Sequence, residues 1–237
     1  LGDVYKRQVF IIGGTIACYI FYKKILAPNT KFSDKEIAVF LPTGSDFSVV
    51  KKVLTPYVEN VESFEWVADL KKYDQNVKAG KFIITNGMGN NDIIIALRNP
   101  VTVRVSFNNQ ETIQNLAGRL AQQLEPDSLK VLQAFTDKTF LEENGLTEDN
   151  VLSIFIPNSY EFYWNTTATK VRDKMIKEYR KFWNPERVAK AEAQGLTPLQ
   201  VSALASIVHK ETVKADERPR VAGVYPVSYT HLRAHET

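Results

Sequence analysis

Residues 79–98, AGKFIITNGMGNNDIIIALR, decide how the first half of this chain folds. The run from Lys81 to Thr85 is rich in β-branched and aromatic residues, and Asn86-Gly87 follows it. Ala79–Met88 therefore reads as a strand running into a turn. Within Asn91–Arg98, Ile93, Ile94 and Leu97 fall on one face at helical spacing, which predicts a short helix. Upstream, Ile37–Gly44 (IAVFLPTG) reads as a second strand ending in a turn. Two amphipathic helices are expected between the strands. Asp46–Tyr57 is spaced by Phe47, Val50, Val53 and Leu54, and Val61–Lys71 by Phe64, Val67 and Leu70. Residues 37–100 thus form a β-α-α-β-α unit.

A second region spans residues 101–225. Val101–Phe107 (VTVRVSF) alternates with period two, and helices are expected at Thr112–Leu124, Asp127–Gln133, Lys138–Glu143 and Thr169–Trp183. The last of these places Val171, Met175, Tyr179 and Phe182 at i, i+4, i+8 and i+11, a core stripe. A final helix opens at Thr197-Pro198-Leu199-Gln200, a capping box with proline at the first helical position. The fold class is α+β, with a small mixed unit followed by a mostly helical region.

The ends read differently. Asp3–Gln8 (DVYKRQ) and the tail VSYTHLRAHET resemble translated sequencing-library adapters, so residues 1–8 and 226–237 are expected to be adapter-derived and the native segment to be truncated at both ends. His231 and His235 go with the tail, leaving His209 as the native histidine. Val9–Tyr22 is an apolar run bordered by Lys23 and Lys24; it is expected to be a truncated transmembrane segment, with a buried helix or a signal-peptide core as the alternatives. Residues 23–36, broken by Pro28 and Asn29, read as a linker.

Composition excludes several classes. The net charge is +3, and the adapter residues account for one positive unit of it. No basic excess points to nucleic acid. A single cysteine, Cys18, forms no intrachain disulfide, and its place in the apolar run reads as that of a small hydrophobe. His209 has no second native histidine or cysteine near it, so neither a metal site nor a Ser/His/Asp triad can be assembled. No cofactor is called for.

One carboxylate stands out in Leu204–Tyr225, LASIVHKETVKADERPRVAGVY. At about 100° per residue, Glu211 falls inside the stripe set by Val201, Leu204, Ile207 and Val208. Ser202, Ser206 and His209 fall on the polar side. An acid in an apolar stripe is either paired, here by Lys210, Arg218 or Arg220, or keeps its proton through desolvation, which suits a general acid. Glu217 is a second carboxylate, at a separation that the spacing leaves open. The run Ile154–Thr166, IFIPNSYEFYWNT, sets Phe155, Tyr160, Phe162, Tyr163 and Trp164 around Asn158 and Glu161. That mixture suits a saccharide cleft and equally an aromatic core loop.

These segments carry a family likeness. IPNSYEFYWNT, GLTPLQVSALASIVHKET and ERPRVAGVY resemble the endolytic murein transglycosylases, membrane-anchored enzymes that cut peptidoglycan glycan strands. FNNQETIQNLAGRLAQQL resembles that family's segment between its subdomains. KAGKFII with GMGNNDIIIALR is similar to its lysin-motif-like subdomain. The resemblance implies a lysin-motif-like unit over 37–100 and a catalytic domain over 101–225. It also implies a single-pass anchor in the bacterial inner membrane with the catalytic region outside the cytoplasm. Glu211, in the position of the family's Glu-Thr pair, becomes the catalytic acid. Asn158, Tyr160, Glu161, Tyr163, Thr212, Glu217 and Arg218 become substrate-binding candidates.

The implied partners are peptidoglycan strands, the membrane and, at family level, cell-wall synthases. Two departures matter. His209 stands where the family commonly has another Glu, and the tail begins where an Asn-Arg-Leu segment would line the cleft. The second departure predicts little activity for this segment alone. A non-enzymatic wall-binding scaffold and an inactive remnant are the rival readings.

Overall fold

The computed structural model describes residues 2–212 and 214–223, so Val213, Tyr225 and the expected adapter tail at 226–237 lie outside the described residues. The elements run α1 (Gly2–Ile25), β1 (Glu36–Leu41), α2 (Phe47–Leu54), α3 (Val61–Leu70), β2 (Gly80–Thr85), α4 (Asn90–Arg98) and β3 (Thr102–Phe107). They continue α5 (Ile113–Ala121), α6 (Ser128–Phe135), α7 (Lys138–Glu143), a 3-10 turn (Val151–Ile154), β4 (Asn158–Tyr163), α8 (Ala168–Phe182), α9 (Pro185–Glu192) and α10 (Pro198–Glu211). The chain divides into two units: residues up to 103 with 161–165, and 104–160 with the residues from 166 onward. The fold is α+β.

In the first unit β1 pairs antiparallel with β2, Val39 opposite Phe82 and Phe40 opposite Lys81. Period-two alternation turns Val39, Leu41, Phe82 and Ile84 inward. A two-stranded sheet is not stable by itself in water. Val50 and Leu54 of α2, Phe64 and Val67 of α3, and Ile93, Ile94 and Leu97 of α4 bury this one in a common core. The helices start where side chains accept orphan amides: Asp46 from the Val49 amide and Asn60 from the Ser63 amide. Hydrogen bonds from the Ser48 hydroxyl and the Val49 amide also hold the Asp46 carboxyl below its ordinary range.

The second unit is mostly helical. α6 packs between α5 and α8, burying Leu116, Leu120, Val131, Phe135, Val171 and Met175. Phe135 meets Phe155 with ring centroids 4.5 Å apart. The Arg172 guanidinium lies 4.4 Å from the Phe140 ring centre and bonds the Ala134 carbonyl, which seats a mostly buried cation.

The expected membrane anchor is overturned. Among the described residues no helix is long and apolar enough to cross a membrane. α1 is 24 residues long, but Lys6, Arg7, Lys23 and Lys24 bracket its apolar run. The uncharged part covers about 20 Å of a hydrocarbon core that is about 30 Å thick. The transmembrane segment, the membrane as a partner and the single-pass inner-membrane placement are therefore corrected. α1 starts at Gly2, within the stretch read as adapter.

One core residue yields a direct test. Tyr73 is fully buried, and its hydroxyl has no hydrogen-bond partner among the described residues. Burial pushes that hydroxyl far above its usual range, against a smaller opposing pull from Arg98. Tyr73→Phe removes an unsatisfied polar group and should raise stability by about 1–3 kcal/mol in urea denaturation. The unfolded chain ionises Tyr73 first, so stability falls as pH rises past about 10. The advantage of Tyr73→Phe should therefore widen in that range.

Candidate functional site

α10 is built to end where it does. The Thr197 hydroxyl accepts from the Gln200 amide at 3.3 Å, and the Gln200 side chain accepts from the Thr197 amide at 2.8 Å. Pro198 occupies the first helical position, where its missing N–H costs nothing. At the other end Thr212 turns to extended backbone (φ −142°, ψ 132°). Its buried hydroxyl donates to Glu217 Oε2 at 2.8 Å and accepts from the Lys214 amide at 3.1 Å. Lys214 Nζ also lies 3.3 Å from Glu217 Oε1, so Glu217 closes the turn that follows the helix.

Glu211, the last residue of α10, is exposed. The stripe inferred from periodicity exists only in part. Val208 is the one residue of α10 that is buried, while Ile207 is 42% exposed. α10 packs against the 3-10 turn and α9, and in its last turn Val208 is covered while His209, Lys210 and Glu211 are exposed. The apolar cover that the periodicity implied does not reach Glu211. The pairing alternative is also unmet, because Lys210 bonds Glu111 at 3.0 Å and no described residue bonds or pairs with the Glu211 carboxylate. Among the described residues it is an unpaired, exposed acid.

A groove of about 1090 Å³ lies in the second unit beside α10. Val201–Ile207, His209 and Lys210 form one wall, and Phe182, Trp183, Arg187 and Gln194 form another. Asn108, Asn109, Gln110, Phe155, Ile156 and Pro157 complete the lining. The Trp183 indole N–H is buried without a hydrogen-bond partner among the described residues. The Arg187 guanidinium lies 4.2 Å from the Phe182 ring centre and donates to the Phe182 carbonyl at 2.7 Å. Such a groove offers apolar faces and several amide and cationic donors to one ligand.

The expected binding residues distribute unevenly. None of them lines the groove, although Glu211 directly follows the lining residues His209 and Lys210. Tyr160 stands behind it: its hydroxyl donates to the Ile156 carbonyl at 2.6 Å and its ring stacks on Phe107 at 5.7 Å. Burial, with a lesser push from Glu178, raises the Tyr160 hydroxyl above its ordinary range. Asn158 is exposed and its side chain accepts from the Ser159 amide. Thr212, Glu217 and the half-buried Arg218 belong to the same unit, whereas Glu161 and Tyr163 belong to the first. Asn108–Gln110 and the pair Phe182 and Trp183 line the groove without having been expected there, and His209, expected only on the polar side of the helix, lines it too. The run Asn-Asn-Gln and the pair Phe-Trp are the available signals.

A sequence profile of the YceG-like family matches residues 39–226. The chain is 23% identical over 238 aligned residues to a protein of Streptococcus pneumoniae described as an endolytic murein transglycosylase. That alignment covers 87% of this chain, which spans 43% of the relative's length. A crystal structure described as a yceG-like protein of Listeria monocytogenes superposes with a TM-score of 0.48 at 20% identity, covering 78% of this chain and 67% of that one.

The closed turn after α10 is open to test. Thr212→Val keeps the shape but removes the bond to Glu217, and should lower stability by about 0.5–1.5 kcal/mol. Hydrogen exchange should rise at the Lys214 amide, whose acceptor is lost, and not at the amides of α8.

Proposed function

The chain belongs to the YceG-like family, and from that premise we propose that it acts as an endolytic murein transglycosylase on peptidoglycan glycan strands. The observation that carries the reading is the exposed carboxylate of Glu211 at the end of α10, unpaired among the described residues and next in the chain to two residues of a groove with mixed apolar and amide lining. An acid that must reach an atom inside a polymer has to stand at a surface the polymer can cover.

In the proposed reaction the acid form of Glu211 donates its proton to the glycosidic oxygen between N-acetylmuramic acid and N-acetylglucosamine as that bond breaks. The carboxylate so formed takes the proton from the muramoyl C6 hydroxyl. The C6 oxygen then closes on C1, giving a 1,6-anhydro end and restoring the protonated acid. No water is consumed and one carboxyl group suffices, unlike the paired acids of glycoside hydrolases. Thr212 and Glu217 hold the turn beside the acid. Asn158 and Arg218 in the second unit, and separately Glu161 and Tyr163 in the first, are proposed contacts of the strand. Tyr160 serves by fixing Ile156 in the groove lining. The β-α-α-β-α order of the first unit supports a lysin-motif-like, glycan-holding role.

The test is product analysis of uncrosslinked glycan strands treated with the full-length gene product. Anhydromuramoyl ends are expected, and Glu211→Gln should reduce their formation by about 10²–10⁴-fold, the size of a general acid–base contribution. Glycan binding by the variant should persist. Reducing ends would instead identify a hydrolase, and binding without any product would identify a scaffold.

A further inference from the structure

We infer that residues 26–31, expected as a linker, form a latch that makes α1 a rigid extension of the first unit. A linker should leave its backbone groups to water. Here they are bound within the unit. Asn29 is 5% exposed and is bonded through all its polar groups. Its amide donates to the Met88 carbonyl at 2.9 Å, and its carbonyl accepts from the Glu59 amide at 3.1 Å. Its side-chain Oδ1 accepts from the Asn60 amide at 2.8 Å, while Nδ2 donates to the Asn60 carbonyl at 3.0 Å and to Asn90 Oδ1 at 2.6 Å. One asparagine thereby ties the strap to the start of α3 and the start of α4.

The latch extends to both sides. Asn90, 1% exposed, donates through Nδ2 to the Lys24 carbonyl in the last turn of α1 at 2.7 Å and to Ser63 Oγ at 2.9 Å. Thr30 donates to Asn86 Oδ1 at 3.1 Å and accepts from the Gly87 amide at 2.7 Å. Lys24 lies 4.9 Å from the Trp66 ring centre, and Phe21 meets the same ring edge-on at 5.6 Å. Buried amides satisfied in this way tolerate little displacement, because any opening strands polar groups away from water.

Gly89 is the part of the latch that admits the strap. Its φ of −80° is open to any residue, so conformational freedom is not the reason for glycine. A Cβ there would lie 2.5 Å from the Leu26 carbonyl oxygen and 3.0 Å from that of Ala27, both backbone atoms. A side chain at position 89 would have to push the strap off its seat. The consequence is geometric: the direction in which α1 leaves the first unit is set by the fold, not by a flexible tether.

The experiment measures the distance distribution between nitroxide labels on the exposed native Cys18 of α1 and on Lys52→Cys of α2, by double electron–electron resonance. The otherwise unaltered chain should give one narrow peak. That peak should be lost in Asn29→Ala and in Gly89→Val, with the melting transition of the unit retained. If one variant fails to fold, the other is read. A broad distribution in the unaltered chain overturns the inference, and so does a narrow peak that persists in a folded variant.

Discussion

A two-stranded antiparallel sheet has two edges and no interior strand, so it holds only where something else hides its apolar face. Both sheets described for this chain are two-stranded, and the helical architecture follows from that constraint. In the first unit Val39, Leu41, Phe82 and Ile84 turn to one side, and three short helices close over them. These helices are eight to ten residues long, too short to be stable alone, so packing supplies what propensity does not. The Asn29 strap belongs to the same logic, because it satisfies polar groups at the starts of α3 and α4 that the small core could not bury unpaired.

The candidate site follows from how a single helix ends. α10 is fixed at its start by a reciprocal capping box and at its end by the Thr212 hydroxyl bonded to Glu217. Between those points it contributes one wall of a groove. Its last residue, Glu211, then emerges as an accessible carboxylate. A flexible end would leave that acid without a defined position, and positioning is what general acid catalysis requires. Glu217 has its carboxylate engaged by Thr212 and Lys214, which separates the roles of the two acids: one is held and the other is unpaired among the described residues.

Much of the fold is legible in the sequence because its signals are local. The strand runs around Val39 and Phe82, the stripe of Phe64 and Val67, and the Thr197 capping box each appear where alternation, helical spacing or cap chemistry indicates them. α9 and β4 are not legible in the same way. The first shows few apolar residues, and the second lies in an aromatic run that looks alike as strand or loop. Periodicity locates the stripe containing Glu211 but not how far its cover reaches, since that depends on which elements pack against α10. Val9–Tyr22 reads as a truncated membrane span because lysines border its apolar run, but α1 also carries Lys6 and Arg7 upstream, and the run between these charges is too short to cross. The strap reads as a linker because its polar residues look solvent-facing, although Asn29 and Asn90 satisfy one another in the interior.

The proposed function requires the exposed carboxylate at the end of α10 to be the group that meets the scissile bond. A crystal structure of the full-length Glu211→Gln protein with a bound glycan oligomer tests this requirement most directly. The substituted side-chain amide at position 211 should lie within about 2.6–3.2 Å of a glycosidic oxygen on the muramoyl side. Sugar rings should lie against the Phe182–Trp183 wall. A glycan bound with a different carboxylate at that oxygen, or one whose bonds all lie away from the end of α10, would contradict it.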